Sequence, residues 1–105
     1  MDLSGTFLPV TTPFDPVTGD VDIVAFRANL RHWFQSQISG VLIAGSTGEA
    51  AFLDEEERIT LLQAASDLVP ENSLVISGTG SESTRHTVRL TKQAADAGAD
   101  AVLVS

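Results

Sequence analysis

The stretch Gly40-Val-Leu-Ile-Ala-Gly-Ser-Thr-Gly-Glu49 decides the fold. Its first half is an apolar run without in/out alternation, the pattern of a parallel strand buried on both faces. Its second half carries glycines at 45 and 48 around two hydroxyl side chains, so the strand must end in a sharp turn. Three similar runs flank it, and strands are expected over Thr6 to Thr11, Gly40 to Ala44, Leu74 to Ser77 and Ala101 to Val104. Their starts recur about every 30 residues, the size of a βα unit.

Helical spacing fills the intervals. After a turn-rich segment from Thr12 to Val21, Asp22 reads as the N-cap of a helix whose stripe is Phe26, Leu30, Trp33 or Phe34, and Gln37. Arg27 and Arg31 fall on its wet side. A second helix is expected to start at Asp54, where Asp-Glu-Glu-Glu supplies a cap oxygen, a glutamate for a capping box and negative charge against the helix dipole. Those acids point in successive directions and cannot converge on one metal ion, so no metal site is expected. Ile59, Leu62, Ala65 and Leu68 or Val69 form its stripe, and Pro70 ends it. A third helix, capped by Ser83 or Thr84, runs through Val88, Thr91 and Ala95 and stops at Ala97-Gly98, where glycine suits a left-handed C-cap.

Strands joined through helices run parallel with right-handed crossovers. Two architectures fit: an open doubly wound α/β sheet, or part of an eight-stranded barrel. Either one binds ligands at the carboxyl ends of its strands. That selects Thr11 to Phe14, Gly45 to Glu49, and Gly78 to Ser81 as places to seek function.

Of these, Gly45-Ser-Thr-Gly-Glu49 looks like an anion cradle, because a glycine turn leaves backbone N–H groups facing a carboxylate or phosphate. An ordinary glycine turn leading to a helix would read the same way. The P-loop lysine is missing, and Gly78-Thr-Gly80 has Ser83 where a dinucleotide fingerprint needs its third glycine. His32 and His86 lie within helices, away from strand ends. The chain's single lysine, Lys92, also lies in a helix, which argues against a Schiff-base role.

Composition narrows the chemistry further. The 105 residues suit one domain or a piece of one, and the absence of cysteine excludes disulfides and thiolate chemistry. A formal charge of -8 disfavours nucleic acid. No apolar run approaches the roughly 20 residues a membrane span needs, and a cytoplasmic protein is expected. Tyrosine is absent as well.

The ordered set Gly5-Thr-Phe-Leu-Pro-Val-Thr-Thr-Pro-Phe14, Gly45-Ser-Thr-Gly-Glu-Ala50, Leu53 with Glu57-Arg58, Gly78-Thr-Gly80 and Gly98-Ala-Asp-Ala101 resembles the dihydrodipicolinate synthase and N-acetylneuraminate lyase superfamily. The resemblance covers the whole chain. It implies the N-terminal part, about three and a half βα units, of a (β/α)₈ TIM barrel. Members form a Schiff base between pyruvate, or a related 2-oxo acid, and a lysine on the sixth strand, with no further cofactor. Carried onto this sequence, the Ser46 hydroxyl joins a proton relay, and the Ser46 and Thr47 N–H groups bind the 2-oxo acid carboxylate. Gly45, Gly48 and Glu49 shape the turn, while Thr11 and Thr12, with Pro13, line the cavity.

The family's relay tyrosine and Schiff-base lysine have no counterpart here. Ser46 is similar to the neuraminate lyase branch, whereas Gly78-Thr-Gly80 with Glu82-Ser-Thr resembles dihydrodipicolinate synthases and 4-hydroxy-2-oxoglutarate aldolases. The resemblance implies a homo-oligomer, a tetramer for full-length members, or self-association through open barrel edges. A chain that is inactive alone, and pairs with another chain or binds a small carboxylate, is the alternative. A flavodoxin-like binding domain is a third possibility and would need a closing helix.

Overall fold

A computed structural model of the chain describes residues 5–45, 53–79 and 84–103. Seven elements alternate: β1 (Phe7–Pro9), α1 (Ile23–Trp33), β2 (Gly40–Ile43), α2 (Glu55–Leu68), β3 (Leu74–Gly78), α3 (Thr84–Asp96) and β4 (Ala101–Leu103). All strand pairs are parallel, and the spatial order is β1-β2-β3-β4. This order separates the two architectures. A doubly wound sheet reverses direction at a switch point, whereas these strands progress one way. With right-handed crossovers, that places α1, α2 and α3 on one face, and α2 packs against both of its neighbours. The arrangement is α/β and is that of the N-terminal part of a (β/α)₈ barrel.

The core lies between sheet and helices. Val10, Val41, Ile43 and Val75 face Phe26 and Leu30 of α1 and Leu61, Leu62, Ala64 and Ala65 of α2, all of them buried. The register puts Pro9, Leu42, Ile76 and Ala101 in one row on the opposite face. Leu42 and Ile76 are only half-buried there, and Pro9 is exposed. So the strands are mostly apolar, with Ser77 a buried exception, and among the described residues only the helix side is sealed.

The helix termini follow the sequence closely. The Asp22 carboxylate accepts from Ala25 N at 3.0 Å and starts α1. At α2 the capping box is complete, with Asp54 accepting from Glu57 N at 2.8 Å and Glu57 accepting from Asp54 N at 3.0 Å. Gly98, at φ 107°, turns the chain out of α3 and packs so tightly on Ser66 that a side chain there would strike its hydroxyl.

Three expectations need correction. Gln37 is exposed, because α1 stops at Trp33. On α3 the buried positions are Leu90 and Ala94, with Ala97 just beyond, while Val88 is 49% exposed and Ala95 is also exposed. The α2 stripe is broader than expected, since a helix between two neighbours and a sheet also buries Leu61 and Ala64. The Thr12 to Val21 segment has more order than a plain loop. Phe14 and Val21 form an antiparallel bridge, and Asp15 closes the turn by accepting from Val17 N and Thr18 N. Those two amides, Thr18 first, hold the Asp15 carboxyl below its ordinary pKa.

Candidate functional site at the carboxyl edge of the sheet

Four strand ends meet along one edge. Beyond the regular strands, Val10 N donates to Leu42 O at 3.1 Å and Thr79 N donates to Leu103 O at 3.0 Å, so the ladder continues to the rim. Ala44 follows β2 with φ 59°, and among the described residues no other non-glycine has a positive φ. A left-handed alanine costs about 1–2 kcal/mol. It persists where surrounding contacts over-determine it, and Ala44 is buried against its neighbours. Gly78 is one of them. A methyl group there would lie 2.5 Å from the Ala44 carbonyl oxygen and 3.3 Å from Gly45 Cα, so only glycine permits this approach.

The rim is braced from the helix side. Arg58, in the first turns of α2, donates from Nη1 to the Gly78 carbonyl at 2.9 Å. Half-burial pushes its guanidinium pKa down, and nearby Glu55 acts in the opposite sense. Thr79 is buried and shares a 3.1 Å hydroxyl contact with Thr91 of α3, which also bonds the Thr87 carbonyl. Glu55 accepts from Arg89 at 2.7 Å and from Gln93 at 3.2 Å, and His86 Nε2 lies 3.4 Å away. The Gln93 amide, then Arg89 and His86, hold the Glu55 carboxyl below its ordinary pKa against a smaller opposing effect of burial.

A small cavity lies between α2, α3 and β3, touched by Arg58, Ser77, Thr79 and Gln93, with room for about one water molecule. Gln93 turns its NH₂ to Glu55, which leaves Oε1 buried there without a partner. This space is on the helix side of the sheet, behind the rim, and is too small for a substrate.

Of the residues singled out from sequence, Gly45 is half-buried directly after the left-handed corner. Thr12 is 6% exposed and Thr11 is exposed, both just past the end of β1. Ser46, Thr47, Gly48 and Glu49 lie outside the described residues, as do Gly80 to Ser83. Lys92 and His32 are exposed on helices, and His86 stands beside Glu55. Sequence reasoning assigned no role to Ala44, and its conformation left no trace, since alanine is not a left-handed signal. Arg58 stood in the quoted motif without a role. Its position one turn after the Asp54 N-cap, on a helix facing a strand end, was the available clue.

The comparisons with known proteins are consistent in direction. The model of the Dihydrodipicolinate synthetase family matches residues 2–104. A 4-hydroxy-tetrahydrodipicolinate synthase of Synechococcus sp. (strain CC9605) is 46% identical over 96 residues, covering 90% of this chain and 31% of that protein. A dihydrodipicolinate synthase family protein from Coccidioides immitis superposes with a TM-score of 0.91 at 32% identity, over 95% of this chain and 33% of that one. A prophage protein of the same family from E. coli K12, solved in complex with pyruvate, gives a TM-score of 0.87 at 32% identity, over 97% of this chain and 34% of its own. The chain therefore spans about a third of the length of the relatives it matches. No helix among the described residues is long and apolar enough to cross a membrane.

Proposed function

Since the chain belongs to the dihydrodipicolinate synthetase family, we propose that it supplies the carboxylate-binding part of a lyase or aldolase that forms a Schiff base with pyruvate or a related 2-oxo acid. The closest functional description is 4-hydroxy-tetrahydrodipicolinate synthase-like or 4-hydroxy-2-oxoglutarate aldolase-like. The observation that carries this reading is the left-handed Ala44 at the carboxyl end of β2. Alternating right- and left-handed residues turn successive N–H groups to one side, and such nests bind anions. A parallel sheet offers its ligand site on the same edge.

In this scheme the carboxylate of the 2-oxo acid accepts from the Ser46 and Thr47 backbone N–H groups. The Ser46 hydroxyl passes a proton to or from the substrate side of the relay, and Thr11 and Thr12 wall the cavity from β1. A fixed cradle favours the reaction because its donors need not reorganise as the substrate reacts. The likeness to a family member solved with pyruvate supports the choice of ligand. Carbonyl chemistry needs an amine as well, and Lys92 is exposed on α3.

The test is a titration of the ¹⁵N-labelled chain with pyruvate. The amides of Ser46 and Thr47 should shift together, with saturation, and acetamide, which carries no carboxylate, should leave them unmoved. Unmoved 45–49 amides at saturating pyruvate would overturn the assignment. Borohydride added with pyruvate should trap no adduct on Lys92.

A second reading rests on β4, where Val102 is 37% and Leu103 49% exposed. Among the described residues β4 pairs on one side only, with β3, and apolar side chains on an open strand edge favour pairing with another chain or another copy. Sedimentation showing a monomer at high concentration would count against it.

A further inference from the structure

The segment from Gly45 to Leu53 joins two fixed points. One is the left-handed corner at Ala44, and the other is the capping box of Asp54 and Glu57 that begins α2. The conformation of such a connection depends on the distance between its anchors. Besides the β2–α2 connection, a second route links the two anchors. Gly78 packs directly on the Ala44 carbonyl and Gly45 Cα. The carbonyl of that same Gly78 accepts a 2.9 Å bond from Arg58, one residue past Glu57. The two anchors are thus clamped to each other through β3.

The bond is of the stronger kind. A guanidinium donating to a carbonyl is charge-assisted, and it lies in a half-buried setting where water competes poorly. It holds the backbone of a residue that packs directly on the strained corner. We propose that Arg58 is a positioning residue for the 2-oxo acid site: by clamping the start of α2 to Gly78, it sets the span across which the carboxylate-binding turn is strung. This inference rests on the reading of Gly45 to Glu49 as that turn. Arg58 acts here through Gly78 and Ala44, and no contact with substrate is required of it.

The experiment compares Arg58→Met, Arg58→Lys and Arg89→Met with the wild-type chain. Methionine keeps the apolar stem without donors, lysine keeps a donor and the charge, and Arg89→Met removes an equal charge from exposed α3. Three quantities are read: the pyruvate dissociation constant, the Gly45 and Gly78 amide shifts without ligand, and the urea midpoint. Arg58→Met should weaken pyruvate about tenfold, or about 1.4 kcal/mol, and move both glycine amides. Arg58→Lys should recover most of the affinity, with about a threefold loss, because a lysine reaches the carbonyl as a point charge. Arg89→Met should leave the affinity and the glycine amides at wild-type values.

Wild-type affinity and unmoved Gly45 in Arg58→Met would overturn the proposal. Equal losses in Arg58→Met and Arg89→Met, with unmoved amides, would also overturn it, since long-range attraction would then explain the effect. Should Arg58→Met fail to fold, Arg58→Lys decides alone: wild-type shifts at Gly78 together with wild-type affinity would refute the clamp. If the wild-type chain does not bind pyruvate, the functional reading fails, and the Gly45 amide in Arg58→Met still decides whether the clamp sets the corner.

Discussion

Replacing Gly78 by alanine tests the packing on which the candidate site depends. The added methyl would lie 2.5 Å from the Ala44 carbonyl oxygen, 3.0 Å from its carbon and 3.3 Å from Gly45 Cα. All three are backbone atoms, so no side chain can swing aside. The ends of β2 and β3 must instead part by about 0.9 Å, the gap between 2.5 Å and the 3.4 Å at which ordinary contact begins. A hydrogen bond stretched that far from about 2.9 Å is lost. Overpacking of a tight site costs about 1–3 kcal/mol, and one lost ladder bond adds about 1 kcal/mol. The expected destabilisation is therefore about 2–4 kcal/mol. Gly19→Ala is the matched control, because Gly19 has φ 78° with nothing within 4 Å of the new methyl. Its cost is the backbone conformation alone, about 1 kcal/mol. Urea unfolding followed by circular dichroism gives both values under one protocol. Pyruvate titration of folded Gly78→Ala should in addition show weakened binding, since the corner beneath the turn has moved. A Gly78→Ala variant no less stable than Gly19→Ala would refute the reasoning, because the β2–β3 rim would then be loose enough to absorb a methyl group.

Two further outcomes follow from the same geometry. Ala44→Gly should be nearly neutral in urea unfolding, because relief of the left-handed conformation, about 1–2 kcal/mol, offsets the loss of a buried methyl, about 0.8 kcal/mol, and a more flexible unfolded chain. Ala65→Gly, buried within α2, has no such relief and should cost about 2 kcal/mol from helix propensity and burial together; equal losses at the two positions would show that Ala44 is unstrained. Glu55 has a depressed folded-state pKa, with the Gln93 amide as its largest cause, so its contribution is present above the ordinary glutamate range and is lost as pH falls through the folded value. Between about pH 5 and pH 3 the melting temperature of the wild-type chain should fall more steeply than that of Glu55→Gln, and parallel curves would sink the linkage.

Much of the fold could be read from local chemistry. The Asp54 to Glu57 run specifies its own capping box, Asp22 caps α1 as its residue type suggests, and Gly98 takes a positive φ where the helical pattern stops. These features depend only on residues a few positions apart. Strand order was not legible in the same way, because barrel and doubly wound sheets use identical βα units and differ only in which side each crossover takes. The buried face of α3 was misjudged for a related reason. Val88 and Ala95 are as apolar as Leu90 and Ala94, and only the direction in which α2 lies selects between the two faces. For the site, the glycine turn was the signal the sequence offered, and its residues Ser46 to Glu49 lie outside the described ones; the contacts at its start were not legible. An arginine at position 58 reads as a solvated charge until the Gly78 carbonyl is seen beside it.

The supports also explain why the chain tolerates a strained alanine at its candidate site. Val41 and Ile43 lock β2 into the core on the helix side, and both are fully buried. Gly78 presses on the Ala44 carbonyl from β3, and Arg58 holds Gly78 from α2. The capping box of Asp54 and Glu57 fixes the start of α2. A left-handed cost of about 1–2 kcal/mol is small against this packing. Were the proposed cradle held as firmly as this corner, it would keep more of its interaction energy as affinity. Under the proposed reading, the glycine at 78 and the arginine at 58 would matter to a bound anion without touching it.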